Sequence, residues 1–122
     1  MPNIRKIQPI DLENVLEIVN RAFPFPQPKA YFQRLLQKYP DSFYVAEKDS
    51  EIAGYVLGHM KTSDLGWVKT IAVSPNHQGQ GVGGEMMGFI TDKLKTAGAK
   101  TIGLHARTSN QKGVSFYQSI GF

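Results

Sequence analysis

The sequence predicts an α/β domain in which a mixed, twisted sheet is flanked by helices. Segments with two-residue alternation or many β-branched residues recur along the chain, and segments with helical spacing separate them. Their order is strand, two helices, three strands, helix, strand and helix. The 122 residues contain no linker, repeat or low-complexity tract, so we expect one domain over residues 1–122.

The first half of the chain is predicted to form one strand, two helices and a hairpin. Prolines within residues 24–28 separate two segments with helical spacing, and Asp11 can cap the first of them. A polar turn over residues 48–50 joins two alternating segments, which predicts the hairpin. The predicted elements are a strand over 3–8, helices over 11–23 and 29–39, and strands over 42–47 and 52–60.

The second half is predicted to alternate strands with helices. Apolar residues recur every four positions from Val82 to Leu94, which predicts an amphipathic helix with Gly98 as its C-terminal cap. Ser109 or Asn110 can cap the last helix. The predicted elements are a turn over 62–66, a strand over 67–73, a helix over 81–97, a strand over 100–107 and a helix ending at 119.

Composition and charge exclude several classes of protein. The absence of cysteine excludes disulfides, thiolate zinc sites and a cysteine nucleophile, and we expect no metal site. The net charge is +4, but the basic residues are scattered without a run of five, so a nucleic-acid partner is not supported. No apolar stretch approaches the roughly 20 residues of a membrane span, and the N-terminus lacks a signal-peptide core. We expect a cytoplasmic protein with no membrane partner.

A glycine-rich loop, residues 78–84 (QGQGVGG), lies between a predicted strand and a predicted helix. Glycines let the backbone turn tightly and approach a ligand closely. The helix that follows presents free N–H groups and a partial positive charge at its N-terminus. The loop therefore predicts an anion site that suits a pyrophosphate.

Other interpretations of the loop are weaker. A P-loop needs a Lys-Ser/Thr pair after its last glycine, but Glu85 follows Gly84, which excludes it. A dinucleotide-binding fingerprint needs an acidic residue about 20 positions further on, where this chain has Leu104 and His105. A glycine-rich turn without a ligand stays open, although its four glycines would weaken a helix start.

The loop resembles the first of two motifs of the GNAT superfamily of N-acetyltransferases. Gln78-x-x-Gly81-x-Gly83 matches the Q/R-x-x-G-x-G/A motif, and it follows an apolar strand over 71–73 and Pro75.

The second motif is N-x-x-A-x-x-F-Y-x-x-x-G-F. Residues 110–122 are similar to it, with Gly113 where alanine is usual. The two motifs occur in the family's order and separation, and the resemblance covers nearly the whole chain.

This resemblance implies an enzyme that uses acetyl-CoA. In the family, amides of the glycine loop hold the CoA pyrophosphate, and the backbone of the preceding strand pairs with the pantetheine arm. The asparagine of the second motif binds the arm through its side chain. The implied cofactor-binding residues are Ile71, Ala72, Val73, Gln78, Gly79, Gln80, Gly81, Val82, Gly83, Gly84, Asn110 and Tyr117.

Acetyl transfer needs a group that protonates the leaving thiolate and a donor for the oxyanion. The family uses a tyrosine at the position of Tyr117, and a phenol can donate a proton to sulfur. A structural tyrosine on the last helix is the alternative. Family geometry implies a backbone N–H near Ala72 or Val73 as the oxyanion donor.

Acetyl transfer also needs a base that removes a proton from the amine. Many family members have a glutamate on the strand before the loop, where this chain has Trp67. We take His105 as the candidate base, because imidazole accepts protons near neutral pH; a structural histidine is the alternative. His59 and His77 are weaker candidates, and we expect His77 to be solvated.

Two segments resemble protein N-terminal acetyltransferases in particular. Residues 104–106 (LHA) are similar to an L-H-V segment in which some members use the histidine through a water. Residues 23–25 (FPF), followed by Tyr31 and Phe32, are similar to the F-P-V…F-Y stretch that packs on the substrate's first residue. The implied substrate-binding residues are Phe23, Pro24, Phe25 and Trp67.

The predicted substrate is therefore a protein or peptide N-terminal amine, of the kind found on ribosomal proteins. The alternatives are a small amine such as a polyamine, amino acid or antibiotic, and a non-catalytic module that only binds acyl-CoA. Family members usually continue with two further strands after the position of Phe122. We therefore expect this fold to lack the last C-terminal strands and to present a sheet edge that is exposed or covered by a second chain, as in a homodimer.

Overall fold

The computed structural model of the chain describes residues 2–22 and 28–104. These residues form a five-stranded sheet with helices on both faces. The strands are β1 (Asn3–Lys6), β2 (Phe43–Lys48), β3 (Glu51–Met60), β4 (Leu65–Val73) and β5 (Thr101–Leu104). The α-helices are α1 (Leu12–Ala22), α2 (Lys29–Lys38) and α3 (Val82–Thr96).

The sheet is mixed, as the sequence predicts. Its strands lie in chain order, and the first four pair antiparallel with their neighbours. α3 crosses from β4 to β5, so β5 pairs parallel to β4. Among the described residues β5 pairs only with β4 and forms the edge of the sheet. The predicted last helix lies outside the described residues.

Two hydrophobic cores hold the helices against the sheet. Alternate side chains of a strand point to opposite faces, so Val45 and Tyr55 face α1 and α2 whereas Tyr44 and Val56 face α3. The α3 residues that enter the second core confirm the predicted four-residue spacing. They are Val82, Met86, Met87, Ile90 and Leu94.

Glycines on the sheet allow α3 to pack closely. A Cβ on Gly58 of β3 would lie 2.5 Å from Cγ1 of Ile90, and one on Gly66 would lie 3.1 Å from Cδ1 of Leu94. No larger residue fits at Gly58 without displacing the helix. The short distance between sheet and helix fixes where the N-terminus of α3 lies relative to the end of β4.

The structure differs from the prediction around Asp11. A short 3-10 turn (Pro9–Asp11) precedes α1, and the buried Asp11 carboxylate accepts hydrogen bonds from the guanidinium of Arg5 at 2.7 and 2.9 Å and from the N–H of Gln8 at 2.8 Å. Arg5 also pairs with Glu47. Asp11 thus joins β1 to the start of α1, and its bond from the Gln8 N–H is part of a capping box at the 3-10 turn, so it caps the helical segment from its third position and not as the N-cap residue.

Candidate active site

The glycine loop joins the end of β4 to the start of α3. A 3-10 turn (Pro75–His77) precedes it and is anchored to β3, because the N–H of Ser74 donates to the carbonyl of Ala53 at 2.7 Å. Gly79 and Gly81 have φ values of 79° and 82°, a left-handed conformation that is costly for residues with a side chain. These two glycines let the chain turn sharply from strand to helix.

The first turn of α3 offers main-chain N–H groups that the helix does not use. Gly81 is the N-cap residue, and the N–H of Glu85 donates to its carbonyl at 3.0 Å. The amides of residues 82–84 precede that bond, so the helix supplies them with no acceptor. A Cβ on Gly79, Gly81 or Gly84 would meet no described atom within 4 Å. The loop is therefore open where these glycines face, and with the helix dipole it fits a pyrophosphate.

The other predicted loop residues differ in how far they are buried. Gln78 and Gln80 are exposed, and Nε2 of Gln78 lies 3.4 Å from the carbonyl oxygen of Val73. Val82 and Gly83 are buried, and the Val82 side chain packs in the α3-side core. Val82 and Gly83 could therefore contact a ligand only through the main chain.

A β-bulge interrupts β4 in its middle. Leu57 of β3 pairs with Thr70, but the next residue, Gly58, pairs with Val68, so Lys69 has no partner in the ladder. A bulge bends its strand and increases the local twist. The sequence carries no local signal for it, because a bulge depends on how two strands align.

On the side away from β3, β4 pairs with β5 up to Leu104, the last described residue. Within residues 28–104, that pairing runs from Leu65 opposite Thr101 to Val68 opposite Leu104. Residues 70–73 pair with β3 on one side and have no described strand on the other. This half of β4 includes Ile71, Ala72 and Val73, the residues expected to pair with the pantetheine arm.

Trp67 lies on β4 two residues before the bulge. It pairs with His59 of β3 and with Gly103 of β5. A Cβ on Gly103 would lie 2.6 Å from Cζ3 of the indole, so a glycine here makes room for the ring. On the indole, Nζ of Lys61 lies 3.8 Å from the ring centroid, a cation–π contact.

His59 extends this aromatic group towards α2. Its ring stacks on Tyr39 with centroids 4.7 Å apart. Burial lowers the pKa of His59, whereas a hydrogen bond to the Met60 backbone raises it. The positive charges of Lys69, Lys61 and Lys38 also lower this pKa. The ring is therefore neutral at pH 7.

The expectation that His77 is solvated is wrong. Its side chain is buried, and Nε2 donates to the Glu51 carboxylate at 2.9 Å. Nδ1 is also buried and has no hydrogen-bond partner among the described residues. The partner lies 26 residues earlier in the chain, so only the tertiary fold brings the pair together. His77 ties the glycine loop to the start of β3.

Six predicted site residues lie outside the described residues. They are Phe23, Pro24, Phe25, His105, Asn110 and Tyr117. In residues 2–22 and 28–104, no group of three or more histidine, aspartate or glutamate side chains could hold a metal ion. None of the described helices is long and apolar enough to cross a membrane.

Known proteins resemble this chain over nearly its whole length. The profile of the Acetyltransferase (GNAT) family matches residues 12–122. An uncharacterised N-acetyltransferase of Methanocaldococcus jannaschii is 33% identical over 120 residues, which are 98% of this chain and 76% of that protein. The ribosomal protein bS18-alanine N-acetyltransferase of Salmonella typhimurium is 29% identical over 100% of this chain and 81% of its own.

A solved structure shares the fold. The crystal structure of Ard1 from Thermoplasma volcanium superimposes with a TM-score of 0.92 at 24% identity, covering 99% of this chain and 82% of that one. The chain belongs to the GNAT acetyltransferase family and is an acetyl-CoA-dependent N-acetyltransferase.

Proposed function

We propose that this enzyme acetylates the α-amino group at the N-terminus of a protein or peptide, of the ribosomal-protein type. The observation that carries the proposal is the likeness, over the whole chain, to an enzyme that acetylates the alanine of ribosomal protein bS18. A shared fold alone would not select a substrate, because one fold hosts many activities. The charges around the site provide a second, physical argument.

In this proposal the cofactor lies along the second half of β4, residues 70–73. The pyrophosphate binds the amides of the glycine loop, and the pantetheine arm runs back along residues 73 to 70 as an added strand. Four strand residues span about 13 Å, which brings the thioester to the bulge at Lys69. The amine then approaches from the side of the bulge that carries Trp67 and His59.

Acetyl-CoA supplies the acetyl thioester, and residues of this chain move the protons. The expected oxyanion donors, the N–H groups of Ala72 and Val73, lie three to four strand residues, or about 10–13 Å, from Lys69. With the thioester at the bulge, they are too far away to donate to its carbonyl oxygen. His105 takes a proton from the attacking amine, and Tyr117 donates one to the sulfur as the carbon–sulfur bond breaks. The roles of His105 and Tyr117 are carried over from the family resemblance alone.

The charges beside the bulge disfavour polycationic substrates. All the charged side chains that act on His59 in the described structure are lysines: Lys69, Lys61 and Lys38. A polyamine or an aminoglycoside carries several ammonium groups, and such a surface repels them. A peptide N-terminus needs to bring only one ammonium, which loses its proton before attack.

The test is CoA release from acetyl-CoA with short peptides whose N-termini are free or blocked, with polyamines assayed alongside. Turnover only with free N-termini is the expected result. Turnover of polyamines in preference to peptides would replace the proposal with a small-amine acetyltransferase. Tight binding of acetyl-CoA without turnover of any amine would indicate a non-catalytic module instead.

A further inference from the structure

We propose that the surface beside the bulge binds acidic side chains in the N-terminal segment of the substrate, and so selects acidic N-termini. This inference rests on the proposed function, because it takes a peptide as the substrate. The surface, which we call the lysine surface, consists of Lys69, Trp67, Lys61, His59, Tyr39 and Lys38.

The members of the lysine surface form one continuous strip. Trp67 and His59 are cross-strand partners, and His59 stacks on Tyr39 at 4.7 Å. Nζ of Lys61 lies 3.8 Å from the Trp67 ring centroid, and Nζ of Lys38 lies 5.4 Å from that of Tyr39. The strip therefore crosses the sheet from β4 to α2.

The lysines of this surface are free to meet an anion. Lys38, Lys61 and Lys69 are all exposed, whereas Lys6 and Lys29 pair with Asp41 and Glu13 at 2.8 and 2.6 Å. The ammonium groups of Lys38 and Lys61 lie over aromatic rings, which orient them without neutralising their charge. The surface thus offers three cations within reach of one extended segment.

The distance from the bulge determines which residues of the substrate would contact the lysines. The amine must reach the bulge, and Trp67 precedes Lys69 by two strand residues, or about 7 Å. Crossing to β3 and then to Tyr39 adds about 5 Å and the 4.7 Å stacking distance. An extended peptide covers this path with about five residues, so acidic residues at its second to fifth positions would lie along the path and face the lysines.

The same chemistry could serve single-stranded RNA, since lysines and aromatic rings also bind phosphates and bases. The peptide is favoured because the strip begins at the bulge, where we place the amine. It also contains only three lysines, from α2, β4 and the turn between β3 and β4, which is few for a groove that binds a nucleic-acid backbone. RNA is therefore an outcome of the test and not a second proposal.

The experiment compares peptides that share a free first residue and carry Glu, Gln or Lys at positions two to five. At low salt we expect kcat/KM to be about three- to tenfold higher for Glu than for Gln peptides, since each exposed ion pair contributes up to about fivefold. The preference should shrink in 0.5 M salt because screening shortens the reach of these charges. Lys69→Glu and Lys61→Glu should each weaken it, because either change lowers the summed charge of the three positions from +3 to +1. Lys95→Glu, on exposed α3, should leave it unchanged.

A second measurement separates this inference from the proposed function. Trp67 is the only tryptophan of the chain, so its fluorescence reports peptide binding whether or not acetyl transfer occurs. Turnover without any acidic preference would overturn the inference and leave the proposed function standing. If no peptide is acetylated, the proposed function fails, and equal quenching by Glu and Gln peptides would overturn the inference too. The surface would be assigned to RNA if the enzyme binds oligoribonucleotides, the Lys69→Glu and Lys61→Glu variants alone lose that binding, and acidic peptides are not preferred.

Discussion

Replacing Gly81 with alanine should weaken acetyl-CoA binding more than it weakens the fold. Gly81 has a φ of 82°, so an alanine there costs about 1–2 kcal/mol of folding free energy and lowers Tm by about 3–10 °C. The new Cβ would touch no described protein atom within 4 Å, so it adds no internal clash. It would instead occupy the space assigned to the pyrophosphate. Losing one charge-assisted hydrogen bond there costs about 1.5–3 kcal/mol, which raises the acetyl-CoA Kd by roughly 10- to 150-fold.

Gly88→Ala is the matched control. Gly88 lies within α3 without a positive φ, and a Cβ there also meets no described atom within 4 Å. Alanine should stabilise the helix by about 1 kcal/mol and leave the acetyl-CoA Kd unchanged. Calorimetric titration measures Kd, and thermal unfolding measures stability. Wild-type affinity in Gly81→Ala, or equal losses of affinity in both variants, would refute the placement of the pyrophosphate.

Three further outcomes follow from the described contacts. Gly58→Ala forces a Cβ to within 2.5 Å of Ile90, so urea unfolding should show a loss of about 1–3 kcal/mol; a neutral change would mean that α3 shifts freely. His77→Ala leaves Glu51 without its buried donor, so the KM for acetyl-CoA should rise about fivefold, the equivalent of about 1 kcal/mol. An unchanged KM would show that His77 does not position the glycine loop. The arginine hydrogen bond lowers the pKa of Asp11, so its stabilisation is present above about pH 4 and is lost as the pH falls through the lowered pKa. Urea midpoints measured from pH 6 to pH 3 should therefore fall less in Asp11→Asn than in the parent, and parallel curves would contradict this.

The elements that the sequence predicts well are those whose signals are local. The four-residue spacing from Val82 to Leu94 places α3 within a residue at each end, and the polar turn at 48–50 marks the hairpin between β2 and β3. The glycine loop is also local, since Gly79 and Gly81 do adopt the left-handed conformation that their residue type favours. These signals suffice for the fold class and for the conformation of the glycine loop.

The features that the sequence does not predict depend on distant partners. Lys69 becomes a bulge residue only because β3 and β4 align with a shift of one residue. His77 is buried because Glu51 lies beside it in the fold, although its polar loop favours solvent exposure. The lysine surface draws its members from α2, β3, β4 and the turn between the two strands. No pattern within a single element indicates any of these three features.

The most direct test of the account is to locate the acetyl group by mass spectrometry on a peptide that has both a free N-terminus and an internal lysine. The peptide is incubated with enzyme and acetyl-CoA, and its fragments show which nitrogen carries the acetyl group. The account predicts acetylation of the α-amino group, with the lysine side chain unmodified. Acetyl on the lysine side chain, with the N-terminus free, would contradict it.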